Sequence, residues 1–174
     1  MSEIILFRGR PGVGKTTLSD HLSTQLNVPI IRKDDFYDVV AAYNDHHDQR
    51  NKVSYGILFK ILESNKKING RFILDFPFNQ EDDMTMFSSW LRENNYHLKS
   101  ILCICSNEEI WADRFHIRKD NPSPNQLITD FVELKKYYKG DLSIKPFENE
   151  LVIDTIDALE SILSKVTTYI NQGH

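Results

Sequence analysis

"GRPGVGKTT" occupies residues 9–17, directly behind the apolar run "EIILF" at 3–7. Gly9, Gly14, Lys15 and Thr16 match the spacing G-x-x-x-x-G-K-[ST]. Glycines reach backbone angles that turn successive N–H groups inward, making a concave nest for phosphate oxygens. A helix starting at Lys15 adds the positive end of its dipole at the same point. Lys15 is then placed to reach terminal phosphates, and the Thr16 hydroxyl to ligate Mg²⁺. The stretch Gly9, Arg10, Pro11, Gly12, Val13, Gly14, Lys15, Thr16 and Thr17 is therefore the candidate nucleotide-phosphate site.

Outward from this loop the chain alternates strand and helix. Lys15–Leu26 carries Leu18, Leu22 and Leu26 on one face, and "NVPII" follows as a second strand. Helices are expected over 36–45 and 52–66, with the polar "NDHHDQRN" between them. "RFILDF" is the third strand and "KSILCIC" the fourth, and the acidic start of "EDDMTMFSSWLREN" marks a helix between them. Ser106 and Glu109 have capping-box spacing before "EEIWADRFHIRK". Ser123, Pro124 and Gln126 predict a further helix start after the turn "DNPSPNQ". "ELVID" is the fifth strand, and Ile156, Leu159, Leu163, Val166 and Ile170 give the closing helix an apolar face. Strands that are apolar throughout, separated by helices, predict an α/β domain with a parallel sheet covered on both faces. No repeat or linker divides residues 1–174, so one domain is expected.

Composition narrows the function classes. The chain has 174 residues, is 40% hydrophobic and carries a net charge of −4. With a pI near 5.8, a long basic groove for nucleic acid is disfavoured. No apolar run approaches the roughly 20 residues of a membrane span, and no signal-peptide pattern opens the chain, so a cytoplasmic location is expected. Cys103 and Cys105 are read as buried strand thiols that point apart and stay unbridged. "DHHD" at 45–48 reads as a solvated polar loop in preference to a metal site.

Other stretches bear on the reaction. GTPase switches carry N-K-x-D and D-x-x-G, whereas here Asn65, Lys66, Lys67 and Ile68 lack the carboxylate and Asp75 is followed by "FPF". Motor ATPases end the metal-binding strand with two acidic residues, and Asp75 stands alone. "RKDDF" puts Asp34 and Asp35 where the second strand ends, the edge at which open parallel sheets bind ligands. A carboxylate there is suited to orient an acceptor hydroxyl against the γ-phosphate, and either residue also suits a helix cap. Arg114 and Arg118, at i and i+4, share a helix face and suit a lid (about 114–124) that brings guanidinium groups over phosphates. Phe36, Tyr37, Tyr43, Phe76 and Phe78 fall near the acceptor side, as core or as a stacking surface.

Taken together, "GRPGVGKTT…IIRKDDF…RFILDF…WADRFHIRKDNPSPNQL" resembles the small P-loop kinases. These include gluconate and shikimate kinases, chloramphenicol phosphotransferase, zeta-toxin kinases and the kinase domain of 5′-polynucleotide kinases. The resemblance implies a P-loop NTPase α/β/α fold with a five-stranded parallel sheet in the order 2-3-1-4-5, and an acceptor-side helical insertion at about 36–66. It implies ATP as phosphoryl donor, Mg²⁺, and transfer to a hydroxyl of a small-molecule acceptor. The implied catalytic residues are Lys15, Asp34, Arg114 and Arg118, with Thr16, Asp35 and Asp75 around the metal. "DFPFN" lacks the glycine and arginine of the adenylate-kinase motif D-G-[FY]-P-R, which weakens a nucleoside monophosphate acceptor. The alternatives are a 5′-hydroxyl polynucleotide or nucleoside kinase and a non-catalytic nucleotide-binding regulator.

Overall fold

The apolar runs become a parallel sheet because each of Ile4, Ile5, Leu6 and Phe7 in the first strand is needed by one of two cores. In a computed structural model, which describes residues 2–119 and 122–172, β1 (Ser2–Arg8) lies at the centre. Ile5 and Phe7 pack with Leu18, Leu22, Ile153, Val166 and Ile170 on one side of the sheet. Ile4 and Leu6 pack with Leu58, Leu62, Phe87 and Leu91 on the other. Successive strand side chains alternate faces, so a strand buried on both sides must be apolar throughout.

The remaining strands are β2 (Ile30–Arg32), β3 (Arg71–Asp75), β4 (Tyr96–Ile104) and β5 (Leu151–Asp154). All pairings are parallel, and the order is β2-β3-β1-β4-β5, as the resemblance implies. The helices are α1 (Lys15–Leu26), α2 (Lys33–Ala41), α3 (His47–Asn65), α4 (Glu81–Glu93), α5 (Glu108–Lys119), α6 (Phe131–Tyr137) and α7 (Leu159–Asn171). Register aligns the carboxyl ends that matter: Phe7 lies opposite Asp75, and Asp75 opposite Arg32. The loop after β1, the end of β3 and the start of α2 therefore meet at one edge.

Several local expectations are corrected. Asp34 and Asp35 do not precede a helix but form the acidic first turn of α2, which begins at Lys33. Asn107, not Ser106, caps α5: its Oδ1 accepts from the backbone N–H of Glu109 and Ile110 at 2.9 and 3.1 Å. The Gln126 side chain accepts from the Ser123 backbone N–H at 3.3 Å, but the Gln126 N–H goes to the Ser123 backbone carbonyl at 2.8 Å, which closes only a turn. The next helix instead begins at Phe131, where the Asp130 carboxylate caps Val132 and Glu133. On α7 the buried stripe is Ile162, Val166 and Ile170, with Ile156 and Leu159 left at the surface. Cys103 and Cys105 are buried and unbridged but join the same core cluster instead of pointing apart, Cys105 lying just past the end of β4. Burial pushes the Cys103 thiol up to about 12. Of the expected lid, residues 120 and 121 lie outside the described residues. Among the described residues no helix is long and apolar enough to cross a membrane.

Candidate active site

Between β1 and α1 the backbone takes angles that L side chains rarely adopt. Gly9, Gly12 and Gly14 have φ of +144°, +79° and +101°. A Cβ on Gly9 would lie 2.3 Å from the Cys103 carbonyl oxygen, and one on Gly12 would lie 2.5 Å from the Phe115 ring. The glycines are thus required both by conformation and by the elements pressed against the loop. α5 secures the loop from behind. Trp111 Nε1 donates to the Pro11 carbonyl at 2.9 Å, and Arg114 Nη1 to the Val13 carbonyl at 3.1 Å.

The polar side chains converge in front. Lys15 Nζ donates to the carbonyls of Gly9 and Arg10 at 3.0 and 3.1 Å, and among the described residues it makes no ion pair with a carboxylate. Its cation is held over the loop, where an incoming anion would meet it. Thr16 Oγ1 donates to Asp75 Oδ2 at 2.8 Å, joining the start of α1 to the end of β3. A hydroxyl beside a carboxylate is an oxygen donor set that suits Mg²⁺, a hard cation that keeps most of its water. The glycine cradle, the charged lysine and this oxygen pair fit a magnesium-bound polyphosphate.

Asp34 faces the same edge. It is exposed by area, yet protein atoms crowd its carboxyl, and this desolvation raises its pKa above the ordinary carboxylate value. Lys15 and Lys33 oppose the rise, while the charges of Asp75 and Asp38 add to it. Lys33 is shifted down, chiefly by burial, with Asp34 and Asp38 opposing and Lys15 adding. These mutual effects place Lys15, Lys33, Asp34, Asp38 and Asp75 within one electrostatic neighbourhood.

Other residues singled out from the sequence lie differently. Asp35 turns to Arg32, at 4.0 Å, on the exposed side of α2. The side chain of Arg10 leaves the loop: its guanidinium stacks on Tyr138 at 3.8 Å and donates to the Leu142 and Ser143 carbonyls. Only the Arg10 backbone remains to the phosphate nest. Arg114 also donates to Thr155 Oγ1 and to the Thr155 carbonyl, both at 2.9 Å. It braces the loop against the turn after β5 instead of arching over it. The side chain of Arg118 lies outside the described residues. Thr17 is exposed on the first turn of α1. Phe76 and Phe78 are core, Tyr37 is buried with its hydroxyl on His47 Nδ1 at 2.8 Å, and Tyr43 is exposed. No grouping of His, Cys, Asp and Glu that could hold a metal occurs among the described residues, "DHHD" included.

Three features had no clear sequence signal. Asn79, in "DFPFN", donates from Nδ2 to the Gly9 carbonyl at 3.4 Å. Tyr55 reaches across from α3 to the Phe76 and Phe78 rings, at 5.5 and 5.2 Å. Beneath the loop, Arg8 and Glu150 form a buried two-bond ion pair, each contact 2.6 Å. Asn79 follows the strand that ends in Asp75, Arg8 directly precedes the glycine loop and Glu150 opens "ELVID", yet none of these patterns announces its partner.

A glycine loop between strand and helix, at the centre of a 2-3-1-4-5 parallel sheet, defines a P-loop kinase-like domain. The chain belongs to the family described as AAA domain, whose model matches residues 4–133. Among solved structures it is similar to a protein of Chloroflexus aurantiacus, with a TM-score of 0.77 and 20% identity over 99% of this chain and 98% of that one. A gluconokinase of Sinorhizobium meliloti aligns with a TM-score of 0.64 and 14% identity, over 97% of this chain and 91% of the other. Kti12 of Chaetomium thermophilum, solved with ADP-AlF3, gives 0.70 and 12%, over 97% and 100%. No curated protein matches the sequence significantly. At these identities the structural likenesses establish the fold.

Proposed function

We propose that this protein is an ATP-dependent kinase that transfers the γ-phosphoryl group to a hydroxyl of a small-molecule acceptor, working in the cytoplasm as one domain. The observation that carries the reading is the meeting of the glycine loop, Lys15, the Thr16–Asp75 pair and Asp34 at one edge of the sheet. Nucleotide binding alone needs the loop and the pair. A carboxylate facing them from a different strand end serves an acceptor.

The loop amides and Lys15 hold the β- and γ-phosphates and neutralise charge gathering on the moving group. Thr16 and Asp75 are the residues that would hold Mg²⁺, which when bound supplies positive charge to the phosphate oxygens. Asp34 orients the acceptor hydroxyl by accepting its hydrogen bond. As the acceptor oxygen bonds to phosphorus, the bond from phosphorus to the bridging oxygen of ADP breaks, and the acceptor proton passes to Asp34. Arg114 contributes by fixing the loop through Val13, and Arg118 keeps the role of neutralising phosphate charge that the sequence resemblance implies for it. Asp35 is omitted from the metal site because it turns to Arg32.

The likeness to Kti12, solved with ADP-AlF3, supports a second reading, a nucleotide-binding regulator that transfers no phosphoryl group to an acceptor. A polynucleotide acceptor is disfavoured by the net charge of −4. ADP release should be followed with ATP, Mg²⁺ and a panel of hydroxyl compounds. Release stimulated by an acceptor, with a phosphorylated product, supports the kinase. Equal release with and without every acceptor supports the second reading, and failure to bind ATP overturns both.

A further inference from the structure

Phosphoryl transfer gathers negative charge on the moving group, and positive charge has to meet it there. Most cations around the loop are already committed. Arg8 is locked to Glu150, Arg10 to Tyr138 and the 142–143 carbonyls, and Arg114 to Val13 and Thr155. Arg32, the last residue of β2, is paired with Asp20 on α1. Lys15 shares its donors with the carbonyls of Gly9 and Arg10. Lys33 differs from all of these. Among the described residues its ammonium makes no hydrogen bond and no ion pair, and it rests over the Tyr37 ring at 4.9 Å. That ring is itself fixed, buried and held through its hydroxyl by His47.

The sheet decides where Lys33 stands. Register sets Arg32 opposite Asp75, and Asp75 accepts from Thr16 at the start of α1. Lys33 is the next residue and the first of α2, so it leaves the sheet at the carboxyl edge, next to the Thr16–Asp75 pair. β2 and β3 lie on one side of β1, and β4 and β5 on the other. The arginines of α5 therefore come to the loop from the β4 side, and Lys33 from the β2 side, together with Asp34. The ammonium of Lys33 is half-buried and shifted down chiefly by burial, and the charges of Asp34, Lys15 and Asp38 also bear on it. Two lysines in each other's field repel, an arrangement that becomes favourable when a polyanion comes between them. A cation that served only to recognise an acceptor would have no reason to sit in the field of the loop lysine. We infer that Lys33 is a catalytic residue, its ammonium donating to a non-bridging oxygen of the γ-phosphoryl group as that group moves to the acceptor. Lys33 gives up no proton: the bond to the ADP oxygen breaks, the bond to the acceptor oxygen forms, and the acceptor proton still passes to Asp34. The inference rests on the kinase reading for the reaction and adds a cation on the acceptor side of the loop.

The test compares the full chain as wild type, Lys33→Met, Lys33→Gln and Lys33→Arg, all with Mg²⁺. Calorimetry measures affinity for ADP alone and for ADP with aluminium fluoride, in which the fluoride complex stands in for the moving phosphoryl group. Wild type is assayed in parallel with ATP and a hydroxyl panel, the product being read by mass spectrometry. Fluoride should tighten ADP binding to wild type, as a transition-state analogue does. Lys33→Met and Lys33→Gln should keep the affinity for ADP and lose about 10²-fold in affinity for the fluoride complex. Lys33→Arg, which keeps the charge, should recover part of the loss. Equal fluoride affinity in wild type and Lys33→Met overturns the assignment, as does an equal loss with ADP alone or no tightening by fluoride in wild type. A raised acceptor KM with kcat unchanged overturns it too, making Lys33 a recognition residue. If wild type phosphorylates no acceptor while Lys33→Met still loses the fluoride complex, the kinase reading fails and the phosphate contact stands. Should the neutral variants not fold, reductive methylation of wild type decides. Lys33 should be shielded more by ADP with aluminium fluoride than by ADP, and equal labelling overturns the contact.

Discussion

Removing Glu150 tests how the loop is held from below. Arg8 is the last residue of β1, immediately before Gly9, and its side chain is only 2% exposed while that of Glu150 is 0% exposed. Arg8 Nε and Nη2 donate to the two Glu150 oxygens at 2.6 Å each. The guanidinium also donates to the Phe78 and Lys145 carbonyls at 3.1 and 3.0 Å. Glu150 also accepts from Ser100 Oγ at 2.5 Å and from the Phe147 backbone N–H at 2.9 Å. The pair therefore clamps β1, β4, the segment after β3 and the segment before β5 at one point. In Glu150→Ala the guanidinium stays buried without a counter-charge, which typically costs about 3–5 kcal/mol. For a domain of this size each kcal/mol lowers the melting temperature by about 2–4 °C, so a drop of roughly 6–20 °C is expected. The assay is thermal unfolding followed by circular dichroism. A double variant, Arg8→Met with Glu150→Leu, removes both charges and should recover most of the loss, since the cost lies in the unpaired ion. A melting temperature within about 2 °C of wild type in Glu150→Ala, less than 1 kcal/mol by the same conversion, would refute the reasoning.

Further consequences are as direct. Gly12→Ala combines a φ of +79° with a Cβ 2.5 Å from Phe115, so nucleotide affinity should fall more than about tenfold, the equivalent of roughly 1–3 kcal/mol of strain. Affinity equal to wild type by fluorescence titration would mean the loop is not held as described. Asp34→Asn should lower kcat about 10²–10⁴-fold with the KM for ATP nearly unchanged, and unaltered turnover would remove Asp34 from the reaction. Because the folded-state pKa of Asp34 is raised, the folded state binds its proton more tightly than the unfolded state. Stability should therefore fall as pH rises from the ordinary carboxylate range through the raised value, and Asp34→Asn should be more stabilising at pH 7 than at pH 4. Denaturant midpoints showing the opposite trend would reverse the sign. Cys103, with its thiol pushed up to about 12, should resist thiol reagents at pH 8 until the protein unfolds, and fast labelling of Cys103 in the native state would contradict its burial.

Legibility in the sequence followed the range of the interactions. The glycine loop, the apolar strands and the helix α1 could be read directly, because each depends on backbone conformation or on periodicity within a short window. Burial of β1 on both faces was legible for the same reason. Strand order came through the resemblance and is what the structure shows. What escaped was set by partners distant in the chain. Arg10 lies inside the motif, yet its side chain is drawn off by Tyr138 and by carbonyls in the 142–143 stretch, which no local pattern announces. Arg114 was read for its spacing to Arg118, while its direction is decided by Val13 and Thr155. The cap of α5 moved to Asn107 because two polar residues compete there and the spacing alone favours the wrong one. The helix expected at Ser123 failed because the Gln126 N–H closes a turn on the Ser123 backbone carbonyl and not a cap on its hydroxyl, and Asp130 supplies the working cap further on. The Arg8–Glu150 pair is the extreme case, two charges 142 positions apart that the sequence shows as unrelated.

The measurement that bears most directly on all of this is calorimetric titration of a non-hydrolysable ATP analogue with Mg²⁺ into wild type and Lys15→Ala. Saturable binding is expected in wild type. In the variant it should weaken by about tenfold to a hundredfold, because a charge-assisted contact to phosphate is lost. No saturable heat with wild type, or equal affinity in the two proteins, would contradict a triphosphate site in the loop at residues 9–17.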